Sequence, residues 1–202
     1  MAVEFGIWEI AVLALLREAP MHPYQMQRLL HLRHKDELLV LKRGSLYHAI
    51  GRLTRSGLIE VEKTGREGKR PERTCYRMAP AGRGAFLNML RKIVAIPRRE
   101  SSEFMTAMSF LVHLNPREAS RLLEKRDQHL DSEIGQLTTG LAAASQHVAR
   151  INLIESEYLL AMLKAERAWV QGLKKEIREG TLDWDLKAIL REAAASQRGD
   201  KP

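Results

Sequence analysis

Two stretches hold side chains whose types and spacing suit chemistry. In Gly44-Ser45-Leu46-Tyr47-His48-Ala49-Ile50 a hydroxyl, a phenol and an imidazole fall close together. Shortly after, Glu67-Gly68-Lys69-Arg70-Pro71-Glu72-Arg73-Thr74 forms a compact cationic run. Short directional groups on a helix can read base edges in a DNA major groove, while Lys and Arg neutralise phosphates and supply much of the affinity. Read this way, Lys42, Arg43, Ser45, Tyr47, His48 and Arg52 belong to a groove-facing helix. Tyr47 would meet a phosphate or a thymine methyl, and Arg52 a guanine or a phosphate. Arg66, Lys69, Arg70 and Arg73 would flank that helix on the backbone or the minor groove. The plainer alternative is a pair of solvent-facing rings beside a solubilising turn, which Glu67 and Glu72 keep open.

The charge balance favours the first reading. The formal +8 of this 202-residue chain is uneven: through Pro97 there are 17 Lys and Arg against 9 Asp and Glu, and from Arg98 onward 16 against 16. A basic front joined to a neutral rear points to a polyanionic partner.

Other chemistry finds little footing. His31 and His34 stand at i, i+3, yet zinc needs further ligands that the sequence does not offer at matching spacing. Cys75 is the single cysteine, so it allows no intrachain disulfide and suits a reducing interior. It has no His or Asp partner evident in sequence, so packing fits it better than nucleophilic catalysis. Glu155 and Glu157 point to different sides of a helix, and no glycine loop for phosphates occurs. The expectation is therefore no catalytic set, no metal and no cofactor. The start Met1-Ala2-Val3-Glu4-Phe5-Gly6 lacks signal-peptide features, and no apolar run reaches the roughly 18 residues of a membrane span. A cytoplasmic protein without a membrane partner is expected.

Hydrophobic periodicity gives the elements that must position these groups. Ile7, Ile10, Ala11, Leu13, Ala14 and Leu16 predict a first helix ending near Pro20, and His22-Pro23 restarts a second. Leu38 to Leu41 reads as an extended or helical connector. Ser45 is a good N-cap for a third helix, with Leu46, Ala49, Ile50 and Leu53 inward and Ser56-Gly57 as its stop. Leu58 to Thr64 and Thr74 to Met78 alternate like strands around a basic tip. A helix from Pro80 follows, with Phe86, Leu87, Leu90, Ile93 and Val94 on its apolar side, and then a linker at Ile96-Pro97-Arg98-Arg99. The predicted fold is mainly α with a small β-hairpin. Residues 1–97 form a winged helix-turn-helix DNA-binding domain, and residues 98–202 a helical, coiled-coil-like dimerisation domain.

In the rear half, Leu123, Asp127, Leu130, Ile134, Leu137, Leu141, Ala144, Val148 and Ile151 keep four-three spacing, broken by Asp127 alone. A turn is expected between Ala142 and Asn152, then a return helix from Glu155 to Glu179 stopped by Gly180. Leu123, Leu130, Ile134, Leu137 and Leu141 are the expected homodimer seam; an intramolecular helical hairpin would bury the same leucines. Trp8, Tyr158, Met162 and Trp169 could line an apolar effector pocket, although such residues at helical spacing more often form plain core.

Taken together, the stretch from Ile10 to Leu87 resembles the PadR-type transcriptional repressors. The matching runs are Leu13-Ala14-Leu15-Leu16, His22-Pro23-Tyr24-Gln25-Met26, Gly44 to Leu53, Ser56-Gly57-Leu58-Ile59-Glu60 and Arg70 to Arg77. Pro23 departs from a usual glycine and Ala79 from a customary threonine. The resemblance implies a winged helix, a helical dimerisation domain in longer members, and a response in some members to small aromatic or hydrophobic molecules; because one recognition helix reads only a few base pairs of double-stranded DNA, two copies on a palindromic operator are expected. A winged helix that docks protein without sequence-specific DNA binding is the competing reading.

Overall fold

The computed structural model describes residues 6–33, 35, 43–65, 73–97, 102–187 and 191. Its contacts divide the chain into two compact units, Met1–Arg99 and Glu100–Pro202.

The first unit runs α1 (Ile7–Glu18), α2 (Pro23–Leu32), α3 (Arg43–Arg55), β1 (Ile59–Gly65), β2 (Arg73–Met78) and α4 (Pro80–Ala95). Helix α1 is its hub and packs on α3, α4 and β2. Val12 and Leu13 are wholly buried there, with Leu15 and Leu16 nearly so. Each such side chain contributes about 2 kcal/mol by leaving water. Helix α3 presents Leu46, Ala49, Ile50 and Leu53 to the same core, as their spacing predicts. It opens at Arg43, however, so Ser45 lies in the first turn and is not the cap. Gly57, at φ 66°, takes the left-handed conformation that turns the chain out of α3. The connector Leu38 to Leu41 lies outside the described residues.

β1 and β2 pair antiparallel with Ile59 opposite Met78 and Glu60 opposite Arg77, and the register shifts by a bulge between Val61 and Lys63. The expected half-buried alternation holds only at the base. Ile59 is buried while Val61 is 49% exposed, because the hairpin leaves the core after its first residues. A third strand-like contact was not legible from periodicity. The Met21 N–H donates to the Tyr76 carbonyl (3.0 Å), and the Tyr76 N–H donates back to Met21 (3.1 Å).

Helix α4 sits close against the start of the hairpin. A Cβ on Gly82 would stand 2.2 Å from the Leu58 carbonyl oxygen, so only glycine permits this approach. Phe86 is buried and Leu87 and Leu90 half-buried, but Ile93 and Val94, expected on the apolar side, are exposed.

The second unit contains α5 (Glu103–Ser109), a 3-10 turn (Leu111–His113), α6 (Pro116–Ala144), a second 3-10 turn (Arg150–Asn152) and α7 (Ile154–Glu179). Asn115 caps α6, its Oδ1 accepting the Glu118 N–H at 2.8 Å, and Pro116 takes the first position, where no N–H is needed. Gly180, at φ 69°, ends α7.

Leu123 and Leu130 of α6 are buried against Leu163 and Val170 of α7, and Ile134 and Leu137 pack on the same cluster. The chain's own return helix thus fills the seam expected to join two subunits; Leu141 is half-buried near its end. Asp127, the break in the heptad, is also buried. Its carboxylate accepts from Lys174 Nζ (2.7 Å), Arg167 Nε (2.8 Å) and Gln171 Nε2 (3.2 Å), all on α7. No helix among the described residues is long and apolar enough to cross a membrane.

Candidate nucleic-acid interface

Helix α3 has two sharply different faces. Four apolar side chains hold one face in the core, and the other presents Tyr47, 57% exposed, with His48 and Arg55 also exposed. Ser45 is half-buried at the near end of that outer face. Of the predicted groove residues, Tyr47 and His48 are therefore the two that stand together and open. The hydroxyl of Tyr47 and the ring nitrogens of His48 can each donate or accept, as base edges require.

Arg52 departs from its expected role. Its Nε and one terminal nitrogen both engage Oε1 of Glu9, a residue of α1 with no exposed surface. The second oxygen of Glu9 accepts the Gly6 N–H at 2.9 Å. A buried carboxylate must be paired, and Arg52 satisfies that need before it can reach a base or a phosphate. Sequence reading missed Glu9, whose one visible signal was an acid set among the apolar residues of α1.

On the hairpin, Arg77 pairs with Glu60 directly across the strands at 2.7 Å, which cancels part of the local positive charge. Lys63 is exposed. Lys42, Arg66, Lys69 and Arg70 lie outside the described residues, while Arg43 and Arg73 are placed by backbone alone, in α3 and β2. The Cys75 thiol is pushed up by burial and by the Glu62 carboxylate, which keeps it protonated and a poor nucleophile. Among the described residues no group of three or more His, Cys, Asp or Glu could hold a metal ion.

The four candidate effector residues are divided between the two units. Trp8 belongs to the core of the first unit, whereas Tyr158, Met162 and Trp169 are exposed on α7 in the second. Trp169 meets Phe104 edge-on, with ring centroids 6.0 Å apart. It also borders a cavity of about 240 Å³ formed with Met108, Leu111, Val112, Leu173, Leu182, Asp183 and Trp184. The Trp184 indole N–H donates to the Leu114 carbonyl at 3.0 Å, which fixes that wall.

Residues 12–88 match the model of the Transcriptional regulator PadR-like family. Among solved structures, the chain is similar to Bacillus subtilis PadR in complex with operator DNA, at 20% identity and a TM-score of 0.68, over 85% of this chain and 99% of that one. It is similar to the same protein in complex with p-coumaric acid, at 19% identity and a TM-score of 0.67, over 86% and 99%. The Vibrio cholerae virulence activator AphA is similar at 13% identity and a TM-score of 0.64, over 85% and 98%. No curated protein matches. At these identities the likeness to solved structures is one of fold.

Proposed function

We propose that this chain is a PadR-type transcriptional regulator, a reading supported by the match of residues 12–88 to that family's model, and that it represses transcription by binding a palindromic operator as a homodimer. The observation that supports this most is the outer face of α3, where Tyr47 and His48 stand open; in sequence, the segment between β1 and β2 is rich in Lys and Arg. Ser45 and the basic residues Lys42, Arg43, Arg66, Lys69, Arg70 and Arg73 complete the proposed surface, the cations on phosphates and the α3 groups on base edges.

One recognition helix reads only a few base pairs, so specificity calls for two copies on half-sites about 34 Å apart. The proposed partner surface is an apolar stripe of α7 that the chain leaves uncovered: Ile154, Tyr158, Met162 and Trp169 are all exposed along one side of that helix. This stripe replaces the seam of Leu123 and Leu130, which is already filled. The cavity beside Trp169 and Trp184 is the proposed effector site, suited by its apolar walls to a small aromatic molecule.

Selection of bound fragments from genomic DNA, followed by a gel-shift titration, tests the reading. A palindromic fragment held far more tightly than random duplex is expected. Equal binding of all fragments, or of none, would overturn it. Fluorescence quenching of the tryptophans by a panel of phenolic acids, with loss of operator binding, tests the effector.

A further inference from the structure

Glu9 is unusual because its position is one a leucine would occupy more simply. It is 0% exposed in the core-facing stripe of α1, yet both its carboxylate oxygens are bound by polar groups: Arg52 on one and the Gly6 N–H on the other. A buried ion pair of this kind rarely adds stability beyond what an apolar pair of similar volume gives. What it adds is direction. Leu46, Ala49, Ile50 and Leu53 hold α3 against the core through contacts that tolerate small rotations, whereas two Arg52 nitrogens converging on one oxygen of Glu9, whose other oxygen is tied to Gly6, restrict both distance and angle.

Resting on the proposed DNA-binding role, we infer that Glu9 is a positioning residue for sequence recognition. Through Arg52 it sets the rotation of α3 and cancels the charge of a cation on the edge of the DNA-reading face. Arg52 lies one turn from His48, so the angle fixed at Arg52 is also the angle at which His48 and Tyr47 meet the groove. Arg52 keeps 43% of its side chain exposed. Without the carboxylate it would be a mobile cation at the phosphates, adding affinity for any sequence.

The experiment compares the full-length protein with Glu9→Gln and with the double variant Glu9→Gln/Arg52→Gln, on operator and random duplex over a range of salt. In Glu9→Gln the freed Arg52 should steepen the slope of log K against log salt by about one unit. Random duplex should be bound more tightly, and the operator-to-random ratio should fall by about tenfold. The double variant should return the slope to the wild-type value while the ratio stays low, an outcome that a merely structural role would not produce. If circular dichroism shows Glu9→Gln unfolded, the uncharged double variant decides: a wild-type ratio overturns the inference and a lowered ratio supports it. A folded Glu9→Gln with unchanged slope and ratio overturns the inference while leaving the DNA role standing. A wild-type protein that holds no duplex overturns both.

Discussion

At the scale of single residues, the structure separates groups that face outward from groups that hold others in place. Tyr47 and His48 make no contribution to the core, so replacing either with alanine should leave thermal stability within about 0.5 kcal/mol of wild type. Either change should nevertheless weaken operator binding by about 1–2 kcal/mol in a gel-shift titration. Gly82 behaves oppositely. Alanine there brings a Cβ onto the Leu58 carbonyl oxygen, and α4 must shift away from the hairpin. A loss of about 1–3 kcal/mol in urea denaturation is expected. The inward set of α3 was legible in the sequence because Leu46, Ala49, Ile50 and Leu53 repeat with the helix. The pairing of Glu9 with Arg52 was not, because it joins residues 43 positions apart that share no periodicity. Met21 and Tyr76 were hidden for the same reason: a bridge of one residue pair leaves no pattern.

At the scale of elements, the α6–α7 hairpin combines an apolar seam with one polar layer. The interruption at Asp127 was visible as a fault in the heptad, but its partners on α7 were not. Lys174 first, then Arg167, hold the Asp127 carboxyl at about 2, below its usual 3.8. A depressed carboxylate stabilises the fold fully above its unfolded value, and that stabilisation is lost as pH falls from about 3.8 through 2. Denaturant midpoints measured down this range should converge between wild type and Asp127→Asn, with wild type the more stable at neutral pH. Asp127→Ala leaves Lys174 and Arg167 with only the more exposed Glu124 and Asp131 as their acids and should cost about 1–2 kcal/mol at pH 7, less than for a fully buried pair. The heptad forms a seam from Leu123 to Leu137, but Val148 and Ile151, which continue its spacing, lie beyond the end of α6 and are exposed. Its partner remained ambiguous because four-three spacing specifies an apolar stripe and says nothing about which chain supplies the opposing helix.

At the scale of the whole molecule, the charge asymmetry and the uncovered stripe of α7 make separate demands. Operator affinity should fall steeply with added salt, since the net positive charge is confined to the front half, where acids are fewer. Glutamates at Tyr158 and Met162 should yield a monomer by light scattering at micromolar concentration, and should lower operator affinity by about a hundredfold or more as the second half-site contact is lost. A dimer that survives both changes would remove α7 as the partner surface. The polar layer also bears on descent. Asp127 is shared by Arg167 and Lys174, which pair in turn with Asp131 and Glu124, so either cation can drift alone while an apolar residue at position 127 removes the acid common to both; among homologous proteins that acid should therefore be lost less often than either cation.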